Sequence, residues 1–136
     1  MSASAIVALR KAVHQKLAGD AALSAQLGGT RIFDEAPRAS EPPYLTFGDM
    51  RSRDGSTKSG RGGEHFLVVD VWSQQRGQRE ALSIAARVQD LLDDALLVLE
   101  GHTLINLRYQ QLETRRENQG RYTRASLRFR AYTETP

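Results

Sequence analysis

The stretch FLVVDVWSQQRGQREALSIAARVQDLLDDALLV, Phe66 to Val98, changes its repeat midway, and that change decides the fold. From Phe66 to Trp72 the residues are β-branched, aromatic or aliphatic, which marks a strand. Leu67, Val69 and Val71 take one side of it; Phe66, Val68 and Trp72 take the other, with Asp70 among them. A sheet covered on one side should be polar on the other. The apolar second face therefore asks for further cover, for which another subunit is a candidate. Trp72 itself reads as a core aromatic or an interface anchor. After the glycine at 77 the period lengthens. Leu82, Ile84, Ala85, Val88, Leu91, Leu92 and Ala95 fall on one arc, and Ser83, Arg87, Asp90 and Asp94 fall opposite, an amphipathic helix expected from about Gly77 to Leu97.

Outward from this unit, Ile6, Leu9, Val13 and Leu17 form the stripe of a first helix capped by Ser2 or Ser4. Gly19 is expected to close it in the left-handed conformation. Asp20 then caps a short second turn, AALSAQL, ended by Gly28–Gly29. TRIFDEA is a brief strand, PRASEPP an extended connector, and YLTFGDM a strand entered through Pro42–Pro43. Toward the C-terminus, LINLRYQQLETRRE is a strand with Ile105, Leu107 and Tyr109 on one face. Asn118 to Gly120 signal a hairpin. In RYTRASLRFRAYTE, Thr123, Ala125, Leu127, Phe129 and Ala131 alternate with outward Arg124, Ser126, Arg128 and Arg130.

The economical packing is an α+β sandwich of two layers, a mainly antiparallel four-stranded sheet against two helices. At 136 residues this is one domain, spanning 1–136. Between its strands lies RSRDGSTKSGRGGEHF, Arg51 to Phe66, with Arg51, Arg53, Lys58 and Arg61 among glycines. Residues 51–64 are expected to be a flexible loop, too polar to recover its ordering entropy within its own monomer. It would order against a neighbour as an assembly arm.

Net charge is only +3, but it is uneven. Residues 76–101 hold three arginines against five carboxylates, whereas 102–136 hold seven arginines against three. A basic face of this kind suits nucleic acid or an acidic protein surface. As a nucleic-acid module the last strand would offer Arg124, Arg128 and Arg130 to phosphates, with only Tyr122 and Tyr132 for stacking.

Catalytic patterns are missing from the sequence. GSTKSG sets its lysine before the glycine and leads to a strand, so it makes no phosphate cradle. His14, His65 and His102 have no zinc-ligand spacing, Asp93 and Asp94 diverge on a helix, and no serine occupies a nucleophile elbow. With no cysteine, thiolate metal sites and disulfides are excluded. The expectation is no enzyme, no cofactor and no metal. No apolar run spans a membrane, and the N-terminus lacks the order of a secretory signal, so an intracellular product is expected.

One segment, DAALSAQLGGTRIFDEAPRASEPPYLTFGD, resembles tail completion or tail terminator proteins of long-tailed phages and gene transfer agents. The resemblance runs through Asp20, Leu23, Gly29, Arg31, Ile32, Phe33, Asp34, Pro37, Pro43, Tyr44, Gly48 and Asp49. It continues in HFLVVDVWSQQRGQREALSIAARV and in RYTRASLRFRAYTE. It implies a ring, usually of six copies, that caps the finished tail tube, stops its polymerisation and meets the head-side connector. DNA would pass through the lumen unread. The partners implied are further copies of the chain, the tail tube protein and a head-side stopper, with no membrane, in a virion or phage-like particle assembled in the host cytoplasm. A head-completion, stopper or adaptor protein of the same connector, or a basic nucleic-acid module, is the alternative. The interaction residues expected are Arg51, Arg53, Lys58, Arg61, Trp72, Arg124, Arg128 and Arg130.

Overall fold

The computed structural model describes residues 4–56 and 60–135. The first helix, α1 (Ala5–Ala18), starts where Ser4 accepts a hydrogen bond from the Val7 N–H. It buries Ala8, Leu9, Ala12, Val13 and Leu17. Gly19 closes it with φ −82°, in the right-handed region, so the left-handed cap expected there is absent; Gly28 takes that role instead, at φ 76° after α2 (Ala21–Leu27). AALSAQL is thus a helix in its own right. The third helix, α3 (Arg79–Leu92), stops five residues short of the expected end. The Asp93 carboxylate accepts the Tyr109 N–H at 2.9 Å and the Asp94 N–H donates to the Leu107 carbonyl at 2.7 Å, so the chain is pulled off the helix axis onto a strand.

Asp20 joins two of the helices. Its carboxylate caps α2 through the Leu23 N–H at 2.8 Å and takes both Nε and Nη2 of Arg87, on α3, at 2.9 and 2.6 Å. The Arg87 hydrogen bonds first, and the Leu23 N–H second, lower its pKa from 3.8 to about 2. A depressed folded pKa gives stability that is present above the unfolded value and is lost as pH falls toward about 2. Asp20→Asn should therefore melt below the parent at pH 7, with the difference shrinking between pH 4 and pH 2. Thermal melts across that range check it, and a gap independent of pH would refute the pairing.

The strands are β1 (Ile32–Phe33), β2 (Tyr44–Phe47), β3 (Arg51–Asp54), β4 (Arg61–Ser73), β5 (Val98–Leu99), β6 (His102–Glu117) and β7 (Tyr122–Thr135). They form one curled seven-stranded sheet, ordered β1-β2-β4-β7-β6-β5, with β3 also on β4. β1 runs parallel to β2 and every other pairing is antiparallel. The α+β class stands. The sheet is mainly antiparallel as expected, but four strands and two helices are corrected to seven strands and three helices among the described residues. The brief strand expected in TRIFDEA is β1, whereas β5, two residues long, carries too little periodicity to be separated from a loop.

β2 and β3 lie end to end along one edge of β4, joined across their gap by the Gly48 N–H, which donates to the Val68 carbonyl at 2.8 Å. A Cβ at Gly48 would come within 3.0 Å of Val68 and Asp70, so glycine permits this close crossing. Arg51 to Asp54 and Arg61 to Phe66 are consequently arms of a long hairpin, rather than an irregular loop. Arg51 to Asp54 pair with Phe66 to Gly63, the Gly55 N–H reaches the Gly62 carbonyl at 2.9 Å, and the Tyr132 hydroxyl donates to the Gly55 carbonyl. The segment thus finds its backbone partners within its own chain, which the composition alone did not reveal. Lys58, with Thr57 and Ser59, lies outside the described residues.

Inward residues of the sheet face the helices in a single core. Leu45, Leu67, Val69, Val71, Leu107, Leu127 and Phe129 are buried against Leu9, Leu17, Ile84, Val88 and Leu92. β7 alternates as the sequence predicts, with Thr123, Ala125, Leu127, Phe129 and Ala131 buried. β6 departs from expectation. A bulge between Leu104 and Asn106 adds Ile105 as an extra residue, so Ile105 is exposed while Leu104 and Leu107 turn inward. The turn at Asn118, Gln119 and Gly120 places all three at positive φ and returns the chain one strand over.

Candidate functional site

Helices α1 and α3 pack on one face of the sheet and α2 packs on them; no described helix covers the other face. Register assigns its members: Tyr44 and Thr46 lie opposite Trp72 and Asp70, while Arg51 and Arg53 lie opposite Phe66 and Glu64. Arg124, Ser126, Arg128 and Arg130 lie across from Trp72, Asp70, Val68 and Phe66. Arg51, Arg53, Trp72, Arg124, Arg128 and Arg130 therefore share this face, although they come from three strands up to 79 positions apart in the chain. Arg61 does not join them. It is exposed at the start of β4, opposite Thr135, on the other alternation of the strand.

Cross-strand pairing also brings in residues beyond the expected interaction set: Glu64, Asp70, Arg108, Gln111, Glu113 and Arg115. Glu64 organises one end. It is buried beneath Arg53 and Arg130, each of which forms an ion pair with it, the Arg130 Nε donating at 2.6 Å. The Arg53 hydrogen bond, opposed by burial and aided by Arg130, holds the Glu64 carboxyl below the ordinary carboxylate range. At the other end Arg124 pairs with Glu117 at 2.8 Å and its guanidinium stands 5.5 Å from the Trp72 ring. The Trp72 indole N–H donates to the Thr46 hydroxyl at 2.9 Å and its ring lies 6.3 Å from that of Tyr44. Trp72 is thus half-buried on the open face, outside the helix-side core.

Between these ends Asp70 is buried and accepts the Ser126 hydroxyl; burial raises its pKa, against the pull of that hydrogen bond and of Arg124. It lies at the base of a polar hollow of about 380 Å³ walled by Arg124, Arg128, Gln111 and Glu113. Arg128 has no ion pair among the described residues. Adjoining it, Phe66, Val68 and Met50 form an apolar recess of about 220 Å³ with Arg51, Arg128 and Asp49 around it.

On this face paired arginines hold fixed geometry, apolar side chains lie between them, and the whole is a shallow surface. Among the described residues no group of three or more His, Cys, Asp or Glu is placed to hold a metal ion. His65 is buried between the Ser52 and Thr133 hydroxyls, and burial lowers its pKa. No described helix is long and apolar enough to cross a membrane.

Two comparisons with known proteins point the same way. No curated protein sequence gives a significant match. Among solved structures, a chain from the virion of a native gene transfer agent particle is 34% identical and superposes with a TM-score of 0.89, covering 98% of this chain and 99% of that one. The profile of the tail completion protein gp17 family matches residues 11–134, which takes in every strand pairing of the sheet except the contact at Thr135. With its profile matched over residues 11–134, this chain belongs to the tail completion protein gp17 family.

Proposed function

We propose that this chain, a structural protein of a phage-type tail, forms a ring of six copies at the head-proximal end of the tail tube. The ring ends tube growth and offers the surface to which the head-side connector binds, and DNA crosses its lumen without being read. The observation that carries this reading is the end-to-end likeness to a chain of a gene transfer agent virion, joined to the family match over residues 11–134. A closed ring needs two unlike patches per copy. The helices leave one sheet face uncovered, and the charge is divided between an arginine-rich C-terminal third and the more acidic stretch of residues 76–101. Much of the arginine charge is already matched within the chain, at Glu64, Glu117 and Glu113. That matching favours protein contacts over phosphate binding, which gains its strength from releasing counterions.

Imaging of purified particles, with the chain counted per particle, tests the proposal. Six copies at the head-proximal tip are expected. Particles lacking the chain should carry tails of uncontrolled length that do not join heads. A single copy per particle, a location inside the connector, or normal tails without the chain would overturn it.

A further inference from the structure

We infer that the turn Asp94–Glu100 of one copy seats in the arginine-rimmed recess on the open sheet face of the next copy. This rests on the ring reading above and names the surfaces that would build it.

Leu96 and Val98 are 95% and 93% exposed, the two most exposed large apolar side chains of the described residues. One such residue is ordinary on a protein surface; two, separated by one position and thrown outward together, are a knob that wants a pocket. The knob is held rigid. On its N-terminal side Asp93 and Asp94 are hydrogen-bonded to the β6 backbone, and on its C-terminal side Leu99 is buried and pairs with His102. A backbone already tied at both ends loses little freedom on docking. Its flanks are acidic: Asp94, with no ion pair among the described residues, and Glu100, which among those residues has a long ion pair of 3.6 Å to Lys11.

The recess is the complement. Its floor is Phe66, Val68 and Met50, with room in about 220 Å³ for an aliphatic side chain. Arg51 stands over the Phe66 ring at 4.8 Å, and Arg128 is free of carboxylate partners; together they outweigh Asp49 on the same rim. An apolar knob between carboxylates thus meets an apolar floor between arginines. Strand order supplies the geometry: the knob adjoins the β5 edge, whereas the recess lies by β3 and β4, beyond both β6 and β7. The two patches are therefore separate and unlike, so each copy uses one toward each neighbour. Contacts of this head-to-tail kind propagate in one direction and can close into a ring.

The chain has no cysteine, which makes the contact testable by disulfide trapping. In particles carrying Leu96→Cys with Val68→Cys, mild oxidation should give a ladder of covalent multimers that ends at the ring's copy number. Either single substitution should give no ladder. Adding Arg128→Asp should lower the cross-linked fraction at least about tenfold, the size of a loss of about 1.4 kcal/mol. Asp94→Arg in the same chain should restore it. Copies are counted by imaging before oxidation, so the two readings fail separately. A ring without the 96–68 ladder, a ladder from Leu96→Cys with Val7→Cys instead, or Leu96→Cys joined to a different protein would overturn the docking and leave the ring standing. Particles with no ring would overturn both.

Discussion

Phe129→Ala is expected to lose about 3–5 kcal/mol of stability, the cost of deleting a fully buried ring from a packed site. Phe129 is 0% exposed in the middle of β7, the strand that pairs with both β4 and β6, and meets the Tyr109 ring edge-on at 6.1 Å. The cavity would sit under the centre of the sheet, where neighbouring strands are tied by their own ladders and cannot collapse into it. Set against a total of about 5–15 kcal/mol, such a loss leaves a chain near its unfolding threshold. In urea the midpoint should fall by about 2 M, taking the usual slope for a small domain. A midpoint within about 0.5 M of the parent would show that Phe129 is not the central packing residue described here.

The second large effect separates the two sides of α3. Ile84→Ala should cost about 2–5 kcal/mol, while Leu82→Ala, two positions away, should cost about 1 kcal/mol or less. Ile84 is 1% exposed and belongs to the core, whereas Leu82 is 37% exposed. Both residues sat on the apolar arc read from the sequence, so only the packing ranks them. Equal losses from thermal melts of the two variants would mean that α3 presents a different side to the sheet.

Legibility followed the length of each pattern. The alternation of β7, the two long helices and the hairpin at Asn118–Gly120 were readable because each repeats a signal several times or uses a residue with a backbone preference. The end of α3 was not. Asp93 to Leu97 continue the helical composition, and the helix is stopped by hydrogen bonds to Leu107 and Tyr109, distant partners that no local pattern announces. That misreading hid the knob, since Leu96 and Val98 looked like a helix end. The open face was partly readable. Outward arginines were visible on β7, yet Glu64 beneath Arg53 and Arg130 depends on a register between three strands. The segment 51–64 was misread for the same reason: its polar composition suggested an arm, while its pairing with β4 and the reach of Tyr132 to Gly55 come from tertiary neighbours.

The far border of β6 has a different consequence. β5 covers only His102 and Thr103 of it, and beyond Tyr109 the strand's outer backbone is left unpaired by any other strand. An uncapped margin of this length would ordinarily recruit foreign strands and seed fibres. Here the irregularity between Tyr109 and Gln111 breaks its line at the start and Arg115, Arg116 and Glu113 crowd it with charge, so stacking by backbone is frustrated. Concentrated stocks should stay clear and fail to bind amyloid dyes.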